Sequence, residues 1–421
     1  MRGPSGRTYD GTCESVHKVG GSTLTGSLDT QVLVVGGGPG GSATAYHLAR
    51  QGVDVTFVDK AVFPREKVCG DGLTPRGVRA LQHMDIDPEE PGFVRVNGLR
   101  TYGLNGFAAD YAWPTLRDFP AFGVVRTRYD FDNLLMERAV KAGATFRQGT
   151  EAVAPILDGG WVAGATVKDE SGATTDIRAR FVVAADGASS KFASRVGVRR
   201  DPKKAVAIAA RRYYRVEGPQ EPVLEAFLDL VDPTAGKGVL AGYGWIFPLG
   251  DGVLNVGAGL LNTFARFKEV SAKKVMDVFL AQLPPERGIN EGSAIGPLLS
   301  GPIPMGINRT PLAVPGLLLV GDAAGVTNPF NGEGIAYAME TGELAAELLA
   351  DALARGRPAV AQMYPVLVKE RYGRYFRVGT NWVRMIGNPG FMRFAVEHGF
   401  PRRRLMEFAL RVMANLTDGK T

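Results

Sequence analysis

Val32-Leu33-Val34-Val35-Gly36-Gly37-Gly38-Pro39-Gly40-Gly41 decides the fold of this chain. Four consecutive apolar residues read as a buried parallel strand, and the glycines as a tight turn. Ser42 to Arg50 reads as the helix that follows, with Ala45 small enough for close packing on the strand. Such a turn brings backbone N–H groups and a helix N-terminus up to a pyrophosphate, and Gly36, Gly38 and Gly41 carry that fingerprint. Val55-Thr56-Phe57-Val58 predicts a second strand ending at Asp59, 18 residues past Gly41, where a carboxylate can hold adenosine ribose hydroxyls.

A second signal lies far along the chain. Leu317-Leu318-Leu319-Val320 predicts an apolar strand that ends in Gly321-Asp322 and can return a carboxylate to another part of the same cofactor. The pair favours a large, two-ended cofactor such as FAD. Between them, Arg180 to Ala185 reads as a strand, followed by Asp186-Gly187-Ala188-Ser189-Ser190 and a helix through Val196. This is another strand-to-helix turn suited to a pyrophosphate neighbourhood.

The 421 residues can bury one large or two ordinary cores, and 45% hydrophobic content with 55 glycines fits a globular α/β chain rich in turns. Two cysteines, Cys13 and Cys69, give neither a disulfide framework nor a metal spacing, and four scattered histidines add no metal site. A reducing, cytoplasmic setting is the simplest. Residues 1–28 are dominated by Gly, Ser and Thr, lack a signal-peptide core, and read as a flexible tail. No apolar run approaches the roughly 18–20 residues of a membrane-spanning helix, so the chain is not expected to span a bilayer.

The net charge of +6 is uneven: Lys369 to Arg411 holds ten Lys or Arg against three Glu. Tyr372, Tyr375, Phe376, Gly379, Trp382, Val383 and Ile386 follow helical spacing, with Arg371, Arg374, Arg377 and Arg384 largely opposite. Two readings stand. The stripe packs on its own domain, or it meets an anionic membrane surface peripherally, on the inner face of the cell membrane. Nucleic acid is the poorer partner, because no binding motif accompanies the charge.

The fingerprint, Asp186-Gly187 and Gly321-Asp322, in this order, resemble the flavoproteins built like para-hydroxybenzoate hydroxylase. Three further segments narrow the resemblance to the geranylgeranyl reductase family: Lys67-Val68-Cys69-Gly70-Asp71-Gly72-Leu73, the YxWxFP-type Tyr243-Gly244-Trp245-Ile246-Phe247-Pro248 followed by Gly257 and Gly259, and Pro329-Phe330-Asn331-Gly332-Glu333-Gly334-Ile335. It covers roughly Asp29 to Gly356. The resemblance implies FAD-dependent reduction of isoprenoid carbon–carbon double bonds, which in this family belong to chlorophyll side chains, archaeal-type lipids, polyprenols and menaquinone tails. It places Cys69-Gly70 beside the substrate and the flavin ring, and Gly332 and Gly334 on the flavin side.

Tyr243, Trp245 and Phe247 alternate, so on a strand they project from one face as an aromatic wall for an extended hydrocarbon chain, or as an ordinary core strand. Cys69 is either a small inert hydrophobe or a group that positions substrate or transfers a proton. Arg128, in the RxxFDxxL pattern that resembles this flavoprotein group, serves either cofactor oxygens or an ion pair with Asp130 or Asp132. Cys69, Tyr243 and a water near Glu333 are the candidate proton sources.

The expected architecture is α/β. It comprises a discontinuous Rossmann-type FAD domain (29–78, 122–198, 301–357), an inserted substrate domain with a mixed or antiparallel sheet (79–121, 199–300), and a helical C-terminal segment (358–421). No second nucleotide fingerprint appears, so the electron donor is NAD(P)H bound transiently or a reduced ferredoxin-like protein. An aromatic-ring monooxygenase on this scaffold and a membrane-docked electron carrier are the rival functions. Halogenation is disfavoured, because related halogenases carry a Trp-x-Trp-x-Ile-Pro segment where this chain has Tyr243-Gly244-Trp245.

Overall fold

Strand Thr30–Val35 lies inside a parallel sheet, between Val55–Val58 and the long strand Thr174–Ala184 in a computed structural model that describes residues 29–103, 106–231, 240–264, 267–386, 388–394 and 402–416. The expected N-terminal tail is outside the described residues. Thr145–Arg147 extends the sheet past Val55–Val58, and Leu317–Leu319 extends it past Thr174–Ala184. Continuous apolar strands suit a parallel sheet buried on both faces, and Val32, Leu33 and Val34 are fully buried. Helix Pro39–Arg50 packs against the long helix Ile335–Ala354. Small residues permit this close contact: a Cβ on Gly342 would lie 2.6 Å from the Gly40 carbonyl oxygen.

Seven strands form a second sheet, in the order Ala294–Pro304, Val206–Arg215, Val253–Leu261, Gly242–Pro248, Val223–Phe227, Gly98–Gly103 and Phe107–Ala112. Only Val223–Phe227 beside Gly98–Gly103 is parallel, so the sheet is mixed and joins strands from both insertions. One face packs on helix Ala272–Gln282, where a Cβ on Gly244 would meet the Phe279 ring at 2.5 Å. The aromatic side chains of Gly242–Pro248 therefore project from the other face.

Two elements cross the boundaries read from the sequence. Strand Ala294–Pro304 stays paired with Val206–Arg215 through Pro304, so 301–304 belong with the second sheet. This is an edge strand, where Pro302 and Pro304 cost no ladder bond on the open side. Helix Pro75–His83 spans the expected break at 78/79, and Leu81, Met84 and Ile86 enter the core of the first sheet.

The C-terminal segment is helical, with helices Tyr364–Val368, Arg374–Ile386, Pro389–Phe394 and Arg403–Met413. Tyr364, Val368, Tyr372 and Phe376 are buried in the core of the first sheet, and Val383 packs with Ala205, Ala207 and Met305. The apolar stripe read in 372–386 is thus largely internal, which settles that stripe in favour of packing. Glu340 holds this layer together, accepting hydrogen bonds from Arg76 (2.7 Å), Arg79 (3.1 Å) and the Tyr372 hydroxyl (2.7 Å). Arg76 also donates to the Asn415 carbonyl at 3.1 Å, while the Met413 carbonyl accepts from Asn328 and Tyr375, each at 2.9 Å. Among the described residues, no helix is long and apolar enough to cross a membrane, and no three or more His, Cys, Asp or Glu side chains are grouped so as to hold a metal ion.

Candidate active site

The turn after Thr30–Val35 is closed by glycine necessity. Gly36 sits at φ +111°, and a Cβ there would lie 2.3 Å from the Ala185 carbonyl oxygen; a Cβ on Gly41 would lie 1.8 Å from the Gly36 carbonyl oxygen. Gly38 differs. Its nearest protein neighbour is the Arg65 guanidinium at 3.6 Å, and it lines a cavity of about 1190 Å³ that includes both sheets among its walls. No side chain caps helix Pro39–Arg50, whose first-turn N–H groups remain available to an anion.

Asp59, at the end of Val55–Val58, accepts from Gly37 N at 2.8 Å and Ala61 N at 2.9 Å, fixing the loop beside the turn. Arg65 is a residue the sequence reading missed: it pairs with Asp132 at 2.9 Å, lies over Phe63, and borders the cavity next to Gly38. Asp186 accepts from Phe192 N through one oxygen, and its other oxygen is buried without a partner. Burial pushes this carboxyl above its usual range. Asp322 accepts from Thr327 at 3.2 Å and lies 3.7 Å from where a Gly334 Cβ would be. Gly187, Gly321 and Gly332 border the same cavity.

These features fit FAD. A Gly38 side chain would fill cofactor space rather than strike protein, and the orphaned Asp186 oxygen calls for a hydroxyl donor. Asp59 sits where a ribose can be held. When bound, FAD supplies hydride chemistry. Gly36, Gly38, Asp59, Asp186, Gly187, Gly321, Asp322, Gly332 and Gly334 line the cavity and are the residues that would hold it, while Gly41, the third glycine of the fingerprint, does not line it and packs the turn instead.

Arg128 forms the ion pair with Asp132 that was one of its two readings, and it also lines the cavity. Its Nε and Nη2 both donate to Asp132, at 2.6 and 2.7 Å, in a buried ion pair one helical turn apart. Two of its donors are therefore spent on the protein rather than on a cofactor. The guanidinium also lies against the Cys69 thiol.

The loop Cys69–Gly72 lies against the aromatic strand. Trp245 and Phe247 fill the space where side chains on Gly70 and Gly72 would point, at 3.1 to 3.3 Å. Across the ladder Trp245 faces Gly257, where a Cβ would come within 2.2 Å of the indole. Tyr243, Trp245 and Phe247 stand 5.9 and 6.3 Å apart, centroid to centroid, and all line the cavity. The Tyr243 hydroxyl donates to the Asn331 carbonyl at 2.8 Å, joining this wall to the Gly332–Gly334 loop.

Behind the loop is a polar clamp that the sequence reading did not find. Asn255 accepts from Trp245 Nε1 and donates to the Cys69 carbonyl and to Asp71. Tyr213 donates to Asp71 at 2.8 Å, and the buried Arg211 donates to Glu66 and to the Lys67 carbonyl. Register explains the convergence: Tyr213 pairs with Asn255, and Arg211 lies two residues away on the same face. Polar residues inside otherwise apolar strand runs were the available signal.

Titration is displaced throughout this region. Burial pushes Asp71 up to about 6, against the lowering effect of its Tyr213 and Asn255 hydrogen bonds. Burial pushes the Cys69 thiol up as well, with Arg128 opposing. Cys69 is thus a neutral thiol near pH 7 rather than a thiolate. Burial pushes Tyr243 up to about 12 and Glu333 up to about 7. Glu333 accepts from Thr74 at 2.6 Å through one oxygen, and its other oxygen is buried without a partner.

Known proteins share the FAD-binding domain and the fold of this chain. The family described as FAD binding domain matches residues 29–211. The chain is 36% identical over 387 residues to menaquinone reductase of Mycobacterium tuberculosis (strain ATCC 25618 / H37Rv), covering 91% of each chain. It is 33% identical over 362 residues to digeranylgeranylglycerophospholipid reductase of Thermoplasma acidophilum, covering 84% of this chain and 86% of that one. The crystal structure of a geranylgeranyl bacteriochlorophyll reductase-like protein from Thermoplasma acidophilum matches with a TM-score of 0.71 at 27% identity, over 91% of this chain and 99% of that chain. Fold and site define an FAD-dependent oxidoreductase. Within that class, the chain belongs to the geranylgeranyl reductase family.

Proposed function

We propose that this protein saturates carbon–carbon double bonds of an isoprenoid chain, with a menaquinone tail the favoured substrate and a geranylgeranyl lipid the next. The observation that carries this reading is one cavity bordered by the FAD cradle, the Cys69 loop and the aromatic wall, continuing to apolar residues such as Leu228, Met406 and Leu410. An extended hydrocarbon fits such a space. The relatives named for menaquinone and for a digeranylgeranyl lipid support the same substrate class.

An isolated alkene has no carbonyl to polarise, so the protein must supply placement and an acid. Trp245 and Phe247 hold the chain, the missing side chain at Gly70 lets the Cys69 loop pack directly on these two rings, and Cys69 and Tyr243 border the reacting bond. The neutral Cys69 thiol, Tyr243 and the raised Glu333 carboxyl are the groups able to hold a proton there. Reducing equivalents come from NAD(P)H or a reduced ferredoxin-like protein. A prenyl lipid resides in the bilayer, so the enzyme works peripherally, on its cytoplasmic face.

Mass spectrometry of isoprenoid quinones and polyprenyl lipids, from cells with and without the protein, tests this. The substrate gains the mass of one H₂ per reduced bond. Unchanged lipid masses, with oxygen uptake coupled to NAD(P)H oxidation on an aromatic substrate, would assign the monooxygenase alternative instead.

A further inference from the structure

The cavity reaches the surface beside helix Arg403–Met413. Glu407 and Arg411 are exposed and also line the cavity, so its wall and the outer surface meet there. Trp382 and Ile386 of helix Arg374–Ile386 line it as well, and Ile386 packs with Met406, Leu410 and Tyr111. The two helices are the posts of one doorway, with the underside of the second sheet as its lintel.

The outward surface of these posts is unusual for a soluble protein. Phe408 is 65% exposed, the most of any large apolar side chain among the described residues. Leu405, one helical turn away on the same face, is 46% exposed, and Met385 on the first helix is 45% exposed. Arg404 and Arg411 flank Phe408, and Arg384 adjoins Met385; all three are exposed. Apolar side chains interleaved with arginines complement the interfacial layer of an anionic membrane, whose acyl boundary receives the first and whose headgroups receive the second.

We propose that this doorway docks on an anionic phospholipid bilayer. Met385, Leu405 and Phe408 enter the interface, Arg384, Arg404 and Arg411 meet the headgroups, and the prenyl chain passes between the helices to the Trp245 wall without crossing water. The passage of substrate rests on the function proposed above; the docking rests on the surface alone. It assigns membrane contact to residues other than the stripe at 372–383, which is internal.

Flotation of the full-length, FAD-loaded protein tests it. The probes are phosphatidylcholine vesicles with and without phosphatidylglycerol. Wild type floats with the anionic vesicles and is released by salt. A Leu405→Asp, Phe408→Asp double variant loses at least tenfold in the floated fraction, at unchanged flavin content and melting temperature. An Arg404→Gln, Arg411→Gln variant weakens binding and flattens its salt dependence, and keeps the test alive if the first variant misfolds. Flotation of the aspartate variant equal to wild type overturns the proposal, as does wild type floating with neither vesicle. A change of solution size in the aspartate variant without vesicles also overturns it, by showing a protein interface. Turnover of a short, water-soluble prenyl alcohol is scored separately. Its absence in wild type while flotation persists rejects the reaction and leaves the docking standing.

Discussion

Asn255 joins Trp245 to Asp71, accepting from the indole N–H at 2.9 Å and donating to the carboxylate at 2.8 Å. The aromatic wall and the Cys69–Gly72 loop are thereby one unit, through an Asn255–Asp71 contact that spans 184 residues of sequence. Asn255→Leu keeps approximate volume but strands the indole donor and withdraws a donor from the Cys69 carbonyl and Asp71. Roughly 2–4 kcal/mol of stability should be lost, each stranded buried group costing about 1–3 kcal/mol. Urea denaturation checks this; an unchanged midpoint would show that the clamp carries no weight.

The raised carboxyls set a pH dependence of defined sign. Glu333 titrates at about 7 in the folded protein against an ordinary 4.5, and Asp71 at about 6 against 3.8. A folded state that holds protons more tightly than the unfolded chain loses stability as pH rises between the two values. The Glu333 contribution is fully present below its ordinary value and lost as pH rises through about 7. Relative to Glu333→Gln, wild type should lose roughly 3 kcal/mol across that interval, a decade of pH being worth about 1.4 kcal/mol. Denaturant titrations at a series of pH values measure the difference, and parallel curves for the two proteins would refute it.

Two glycine variants should separate folding from cofactor binding. Gly41→Ala drives a methyl into the Gly36 carbonyl and should lower both stability and flavin content. Gly38→Val meets open cavity, so the apo fold should persist while flavin absorbance is lost. Full FAD occupancy in Gly38→Val would sink the cradle assignment. Asp322→Ala should likewise weaken FAD binding, whereas Asp251→Ala, in an exposed turn between strands, should not; equal affinities would count against the Gly321-Asp322 reading.

Glu340 is a buried carboxylate facing two arginines. Burial alone would raise its pKa, but Arg76, Tyr372 and Arg79 together outweigh it and hold it low. Glu340→Ala leaves the buried Arg76 without its counter-charge and should cost about 3–5 kcal/mol. Tyr372→Phe removes one hydrogen bond and should cost about 1 kcal/mol. Thermal unfolding of the two variants tests the order of these effects.

The cofactor half was legible because its signals are local: strand, glycine turn, helix and acid follow one another within Val32 to Asp59. The Cys69 loop and the aromatic strand were legible as motifs. The clamp between them was not, because Arg211, Tyr213 and Asn255 meet Glu66, Lys67 and Asp71 only after two distant segments fold together. Arg65 was missed for a related reason, since its meaning depends on Gly38 and Asp132 arriving beside it. The amphipathic pattern at 372–386 was read correctly as a pattern. Its periodicity cannot say what covers the apolar side: the core of the first sheet covers Tyr372 and Phe376, and Ala205, Ala207 and Met305 cover Val383.

The bonds from Asn328 and Tyr375 to the Met413 carbonyl, and from Arg76 to the Asn415 carbonyl, bear on biosynthesis. Residues 413–416 are translated after every segment they touch, yet Met413, Ala414 and Leu416 form part of the cavity wall. Both sheets can therefore assemble on the ribosome while this side of the chamber is still open. Flavin captured early would sit in an unsealed site, and a nascent chain truncated before this segment would expose its apolar interior to chaperones and proteases.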